Sequence, residues 1–213
     1  MDRPRRFRLP AAWPMLAAFA LASLASFAWA RPARAADVTF GLAIAVASRD
    51  GKPVRDDSWI RAQIEEANRL FAPAQVGFRW TIETRLAAEH TEMHTRKDRD
   101  ALANAIVDRT TIPIFIVESL EDVDEPGRPR RGVCWKKRYL IVAAYAPPTV
   151  LAHELGHFFG NAHSPVTDNL MSYSRSGGDV FLDELQIAAI RASSKRFLAS
   201  GFLKDMGPPR LYP

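Results

Sequence analysis

The sequence is poor in cysteine, since Cys134 is the only one among its 213 residues. An intramolecular disulfide is therefore excluded, and the chain does not belong to the small disulfide-rich class of exported domains. A long hydrophobic segment is also missing. The charge-free apolar run over residues 15–30 is shorter than the roughly 20 residues that cross a bilayer as a helix. Side-chain packing, with or without a bound metal ion, must therefore hold the fold together.

A basic excess is absent from most of the chain. The formal net charge is +5, but six of the 29 basic residues and one of the 24 acidic residues lie in residues 1–35, which leaves 23 of each. This even balance gives no basis for a nucleic-acid-binding surface. With 47% hydrophobic and 25% charged residues, the composition is typical of a globular protein with one domain.

Residues 1–35 are typical of a signal peptide, because an arginine-rich start is followed by an apolar run and by small residues up to Ala35. We expect an exported protein, secreted or periplasmic, that is cleaved near Ala35 and has its catalytic domain over residues 36–213. Two alternatives stay open. The segment could remain as an uncleaved anchor, or the pair Arg5-Arg6 could direct twin-arginine export.

Hydrophobic periodicity predicts alternating strands and helices in the mature chain. The predicted elements are a buried strand from residue 37, a helix that begins near 56–58 and ends before Pro73, a strand over 76–86, a helix over 98–109 and a strand over 112–117. Two short strands, 132–135 and 139–145, are expected to pair as a hairpin. A closing helix over 183–197 is predicted to pack through its apolar residues Leu185, Ala188, Ala189 and Ala192.

The segment HELGHFFGNAH carries the clearest chemical signal. His153 and His157 are four residues apart, so both imidazoles lie on one face of a helix and can bind one metal ion. Gly160 is expected to end this helix and to turn the chain, which makes His163 a third ligand. Three imidazoles leave a fourth position on Zn²⁺ for water, as in catalytic zinc sites.

Glu154 follows the first histidine but points about 100° around the helix, which places it beside the metal and not on it. We expect its carboxylate to take the proton of a zinc-bound water and to pass it to a leaving amine. The predicted activity is therefore zinc-dependent hydrolysis of peptide bonds by an endopeptidase. Two alternatives stay open: a zinc-containing module that binds peptides without turnover, which the presence of Glu154 disfavours, and a zinc hydrolase that acts on a non-peptide amide.

The motif HExxHxxGxxH and a downstream methionine resemble the metzincin zinc peptidases. The resemblance implies a twisted mixed five-stranded sheet with two packing helices, one of which binds zinc, and a small C-terminal subdomain. Met171 would form the methionine turn, an apolar floor beneath the zinc imidazoles. Ser164 after His163 is similar to matrixins. Tyr173 is similar to astacins and serralysins, where it approaches the zinc or the oxyanion, and a tyrosine packed in the core is the alternative.

The resemblance also implies that a substrate lies extended along residues 132–136. We expect a monomer with protein or peptide substrates, no nucleic acid, and no stable membrane association after signal cleavage. Structural Ca²⁺ in the acidic loop 118–131 is a weaker alternative to a solvated loop with balanced charges, because the acids lack EF-hand spacing. His90 and His94 lack a third ligand for a second metal, and Cys134 is expected to be a buried, non-catalytic thiol.

Overall fold

The computed structural model describes residues 36–207, so the signal-peptide prediction lies outside the described residues. Five strands form the main sheet: β1 (Val38–Val46), β2 (Val76–Arg85), β3 (Ile112–Val117), β4 (Gly132–Trp135) and β5 (Tyr139–Ala143). The helices are α1 (Asp57–Phe71), α2 (Arg96–Ala101), α3 (Thr149–Phe158) and α4 (Glu184–Ala199). Among these described helices, none combines the length and the apolar character needed to cross a membrane.

The strands are ordered β2-β1-β3-β5-β4 across the sheet. The first four are parallel to one another, and β4 alone runs antiparallel, paired with β5. Shorter elements lie outside the sheet: two-residue strands pair Ser48–Arg49 with Lys52–Pro53 and Glu92–Met93 with Ser119–Leu120, and single 3₁₀ turns span Ala72–Ala74, Ala88–His90 and Leu102–Ala105. The mixed α/β fold and the predicted hairpin are therefore confirmed, and the antiparallel strand β4 lies at a sheet edge.

The sheet is buried on both faces, which explains why its strands are apolar without interruption. Leu42 and Ile44 of β1 belong to the larger cluster, together with residues of α1 and α3. Ala45 and Ala47 belong to a second cluster around Phe115 and Tyr139. Phe159, just after α3, has its ring centroid 5.7–6.1 Å from those of Phe40, Phe71 and Phe78, in tilted or edge-on contacts. This aromatic packing holds the C-terminal end of α3 against the sheet.

A buried glutamine in α1 fixes the start of α3. Gln63 Nε2 donates to the carbonyl of Ala146 (3.1 Å), and Gln63 Oε1 accepts from the amide of Leu151 (3.3 Å). Both groups lie at the N-terminal end of α3, where backbone groups have no partner within the helix. The two hydrogen bonds therefore hold the beginning of the helix against α1.

Two sequence predictions need correction. The helix predicted over 98–109 spans Arg96–Ala101 and continues as a 3₁₀ turn to Ala105, because a capping box between Thr95 and Asp98 starts it earlier and the backbone at Ile106 is extended. The predicted packing face of the closing helix is wrong. Leu185 is 83% exposed, and the helix instead buries Gln186, Ile190, Ser193 and Ser194.

Candidate metal centre

The three histidines predicted as metal ligands lie close together at the side of α3 that lines a cleft. His153 and His157 project from the same face of the helix, and Gly160, with φ of +100°, turns the chain back so that His163 reaches them. His157 Nε2 lies 3.1 Å from Nε2 of His153 and 3.1 Å from Nε2 of His163. Within residues 36–207, this is the only set of three or more His, Cys, Asp or Glu side chains that could share a metal ion.

Backbone carbonyls fix the orientation of two of these rings. His153 Nδ1 lies 2.8 Å from the carbonyl oxygen of Leu170, and His157 Nδ1 lies 2.8 Å from that of Asn161. A carbonyl can only accept, so each Nδ1 carries the proton and each Nε2 keeps its lone pair. For ligands 2.0–2.1 Å from a tetrahedral zinc ion, the separation between nitrogens is about 3.3 Å. The observed donor set therefore fits Zn²⁺.

The surroundings keep the histidines neutral. Burial lowers the pKa of His153 to about 4, although the hydrogen bond to Leu170 acts in the opposite direction. Burial also lowers the pKa of His157 and of His163. A neutral imidazole is the form that binds a metal. The site is therefore ready for a cation near neutral pH without a prior loss of protons.

Glu154 lies beneath strand β4 and is 5% exposed. A Cβ atom added to Gly132 would lie 2.8 Å from Glu154 Oε1, so only glycine leaves room for the carboxylate there. Burial raises the pKa of Glu154 to about 8, while a hydrogen bond from the Cys134 amide and the charge of Arg130 act to lower it. A metal cation nearby would favour the ionised form further.

Met171 forms the floor of the site. Its side chain is fully buried, and a Cβ atom added to Gly156 would overlap its sulfur. Gly156 lies between the two helical histidines, so the absence of a side chain there lets the methionine pack directly under them. The structure thus brings Met171 to the position that the resemblance implies.

Polar side chains hold the turn around Met171. Asn169 is fully buried, accepts from the Met171 amide (2.9 Å), and exchanges two hydrogen bonds of 2.9 Å with the amide group of Gln186 in α4. The Arg175 guanidinium donates to four carbonyls of the turn, including that of Leu170, which also accepts from His153. The sequence analysis missed these supporting residues, because none of them follows an apolar period.

Tyr173 lies at the solvent side of the histidines. Its side chain is 72% exposed, so it is not a core residue, and its hydroxyl lies 2.7 Å from His163 Nε2. The Arg130 guanidinium also reaches this hydroxyl. The predicted site residues Glu154 and Tyr173 therefore both line the cleft that contains the histidines, one buried and one exposed.

An open cleft of about 420 Å³ runs across the centre. One wall is formed by residues Gly132, Val133 and Cys134 of the edge strand β4, and the other by the three histidines with Tyr173. Arg130 and Lys137 line it as well. Sequence reasoning did not single out these two basic residues, because both occur in charged runs that read as solvated loops.

The other candidate metal-binding groups are mostly paired with protein groups. His94 is paired with Glu121 and Glu92 through its two ring nitrogens (2.9 and 3.3 Å), and His90 ends a short 3₁₀ turn. The acids of the loop 118–131 bind protein groups of their own: Asp122 pairs with Arg130, Asp124 with Arg96 and Glu125 with Arg128. Cys134 is half-buried and lines the cleft, so the prediction of a buried thiol is only partly correct. Partial burial raises its pKa to about 12, which keeps the sulfur protonated at neutral pH.

No protein-family model and no curated protein matches the sequence. Solved structures do match the fold. Mirolysin in complex with a small compound superposes with a TM-score of 0.55 at 13% identity, covering 72% of this chain and 90% of that one. Mature mirolysin of Tannerella forsythia with a cleaved peptide gives 0.53 at 12% identity, covering 78% and 98%. Archaemetzincin from Methanopyrus kandleri gives 0.53 at 18% identity, covering 74% and 97%.

At these identities the similarity shows the fold and not the activity. The mostly parallel sheet with its antiparallel edge strand, the helix that carries two histidines and the buried methionine turn are all present in residues 36–207. The chain therefore has the metzincin-type fold of these metallopeptidases, with a histidine triad gathered at its cleft.

Proposed function

We propose that the protein is an exported, zinc-dependent metalloendopeptidase. The convergence of three imidazoles, with His157 Nε2 3.1 Å from Nε2 of both His153 and His163, beside the side chain of Glu154 carries the proposal. The open edge of β4 along the same cleft supports a peptide substrate, because an extended chain can add to a sheet edge through backbone hydrogen bonds. The cleaved peptide bound to the mirolysin structure is consistent with the same substrate class.

A zinc ion held by His153, His157 and His163 would supply a Lewis acid for the substrate carbonyl. The chain itself supplies the remaining steps. Strand β4 aligns the peptide, and Glu154 takes a proton from the attacking water and transfers it to the leaving amine nitrogen. We expect the Tyr173 hydroxyl to donate a hydrogen bond to the carbonyl oxygen as negative charge develops on it, and its distance of 2.7 Å from His163 Nε2 supports this role.

Replacement of Glu154 by glutamine tests the proposal. The amide keeps the size of the side chain but cannot accept the proton, so we expect full zinc content and a fall in peptide hydrolysis of about 10²- to 10⁴-fold. Glu65→Gln, on the exposed face of α1, is the matched control and should retain full activity. Metal analysis and hydrolysis of quenched fluorescent peptides, with and without a chelator, provide the readouts.

Three results would redirect the assignment. Unchanged hydrolysis in Glu154→Gln would place the proton transfer on another group. An unmutated protein that binds zinc and peptides but cleaves none would instead be a binding module. Chelator-sensitive cleavage of small amides, without cleavage of any peptide in a broad library, would indicate a hydrolase of non-peptide substrates.

Export remains part of the proposal and rests on the sequence of residues 1–35. We expect a mature N-terminus at Ala36, which mass spectrometry of the secreted or periplasmic protein would detect. A mature form that retains the apolar run would show that the segment is a membrane anchor.

A further inference from the structure

The cleft beside the histidines is basic. Arg130 and Lys137 both line it, whereas Glu154 is the only acidic side chain among the lining residues and is 5% exposed. A peptide that enters the cleft therefore meets two cations and almost no anionic surface. The metal ion that the histidines fit would add positive charge.

Arg130 is held firmly at one end of β4. Its amide donates to the carbonyl of Leu120 (2.8 Å), and its carbonyl accepts from the hydroxyl of Tyr145 (2.8 Å). Its guanidinium donates to the buried carboxylate of Asp122, with Nε 2.7 Å from Oδ2. The Arg130 side chain is still 43% exposed, whereas that of Asp122 is 4% exposed. One side of the guanidinium is therefore fixed by Asp122, and the Arg130 side chain also lines the cleft, next to Tyr173.

The opposite end of β4 is a strained turn. Lys136 and Lys137 have φ of +51° and +54°, and the amide of Arg138 donates to the carbonyl of Trp135 (2.9 Å). Two consecutive residues of this connection are therefore left-handed, a backbone conformation that strongly favours asparagine and glycine. Lysine pays a steric penalty in that conformation. Backbone strain of this kind is found preferentially where a side chain is needed for function.

The two lysines of the turn are not equivalent. Lys136 Nζ pairs with Asp100 Oδ1 (2.6 Å) and lies over the Trp135 ring, away from the cleft. Lys137 lines the cleft, and its amide donates to the Cys134 sulfur. Among the described residues, no carboxylate forms an ion pair with Lys137. The strained turn thus presents one unpaired ammonium at the cleft end of β4.

We propose that the cleft selects peptides that carry acidic side chains on both sides of the scissile bond, with Arg130 and Lys137 as specificity-determining residues. This inference rests on the proposed peptidase function. An extended peptide advances about 3.3 Å per residue, so a substrate aligned along β4 passes one cation two residues before the strand begins and the other two residues after it ends. Opposite charge attracts at both ends, and a basic peptide is repelled at both.

The first measurement compares peptides that differ only in charge. A neutral peptide that the zinc-loaded protein cleaves receives Glu, Gln or Lys at one position at a time, over about four residues on each side of the scissile bond, because Arg130 and Lys137 are seven positions apart. We expect kcat/KM to be about 10- to 100-fold higher for Glu than for Lys on both sides at low ionic strength. The ratio should shrink as salt is added, because the charges are partly exposed. Equal values for Glu, Gln and Lys would overturn the inference.

Variants of the turn assign the preference to Lys137. In Lys137→Glu, the preference on one side of the scissile bond should reverse, while the preference on the other side remains. Lys137→Gly should lose that same preference and yet raise Tm, because glycine relieves the left-handed strain. Lys136→Gln is the matched control in the same turn and should keep the unmutated preference. An unchanged preference in both Lys137 variants would remove this residue from the proposal.

A binding measurement separates this inference from the peptidase assignment. If the zinc-loaded protein cleaves no peptide, the proposed function fails. The same Glu and Lys peptides, labelled with an uncharged fluorophore, are then compared by fluorescence anisotropy. Tighter binding of the Glu peptide, lost in Lys137→Gly, would still support an acid-selective cleft. Equal affinities would refute it independently of catalysis.

Discussion

The two halves of the histidine centre share one apolar cluster but differ in how many buried hydrogen bonds hold them. His153 and His157 lie on α3, which packs through Leu155, Phe158 and Phe159 into the largest apolar cluster. His163 lies in the segment 160–182, which contains no helix or strand. This segment contributes Leu170, Met171 and Leu182 to the same cluster, but it also buries four polar side chains, namely Asn161, Asp168, Asn169 and Ser172.

The difference shows which geometry tolerates sequence change. An apolar face is redundant, because many contacts share the stabilisation and one hydrophobic residue can replace another. In the segment 160–182 a few specific hydrogen bonds fix the chain, and the loss of one leaves a buried partner unsatisfied. We therefore expect the helical half to respond to changes of volume, and the irregular half to changes of single polar groups.

Removal of a ligand from either half should have the largest effect. His153→Ala and His163→Ala each delete one of the three ligand nitrogens. The zinc affinity should therefore fall by more than the roughly 100-fold that is lost when a group that only hydrogen-bonds a metal ligand is replaced. Competition with a chromophoric chelator measures this loss. The unmutated chain and the control Glu65→Gln should bind alike, and tight zinc binding by His163→Ala would contradict the three-histidine centre.

Gly156→Ala tests the contact between the two halves. The new Cβ would overlap the Met171 sulfur, so we expect a loss of about 3 kcal/mol in the free energy of unfolding, at the upper end of the cost of overpacking. Chemical denaturation of the metal-free protein is the measurement, because it separates stability from zinc binding.

A double-mutant cycle with Met171→Ala identifies the cause. Alanine at position 171 has no atoms that overlap the new Cβ. The loss of unfolding free energy in the double variant should therefore be smaller than the sum of the losses in the two single variants. Strict additivity would show that the cost of alanine at position 156 comes from another contact.

Asn169→Ala should destabilise the irregular half by about 2 kcal/mol, because it leaves the buried Met171 amide and Gln186 without their partner. Zinc affinity should fall about tenfold as the Leu170 carbonyl loses its fixed position behind His153. Gln186→Ala keeps the bond to the Met171 amide and is therefore expected to have a smaller effect on both. Equal effects of the two variants would show that α4, and not the turn itself, is the critical element.

The same contrast explains which parts of the fold and of the site the sequence could predict. Periodicity and the histidine spacing predicted the strands, α3 and the turn at Gly160, because apolar burial and helical geometry determine them. Periodicity predicted the extent of α4 but not its packing face, where Gln186 hydrogen-bonds Asn169 and Ser193 donates to the carbonyl of Phe159 (2.6 Å). Such polar residues are buried because each forms a hydrogen bond with a partner that lies far away in the sequence. A hydrophobic pattern cannot identify that partner.

A hydrophobic pattern also gives no indication of backbone strain. The hairpin between β4 and β5 was predicted from its two apolar strands, but the pair Lys136-Lys137 is not a turn signal and gave no indication of left-handed backbone. Arg130 was likewise assigned to a loop with balanced charges, and its ion pair with Asp122 agrees with that prediction. Its place in the cleft follows only from the position of β4 at the sheet edge.

Tyr173→Phe should have the smallest structural effect and therefore gives the sharpest comparison with the buried residues. The side chain is 72% exposed and only its hydroxyl reaches His163 Nε2, so the free energy of unfolding should change by less than about 0.5 kcal/mol. If the hydroxyl stabilises the developing charge on the carbonyl oxygen, kcat should fall about 10- to 100-fold at nearly constant KM. KM stays nearly constant because that interaction exists only in the transition state. A rise in KM with unchanged kcat would instead make Tyr173 a substrate-binding residue. Unchanged kinetics would remove it from the catalytic machinery, and the hydroxyl of the irregular half would then contribute only a contact to His163.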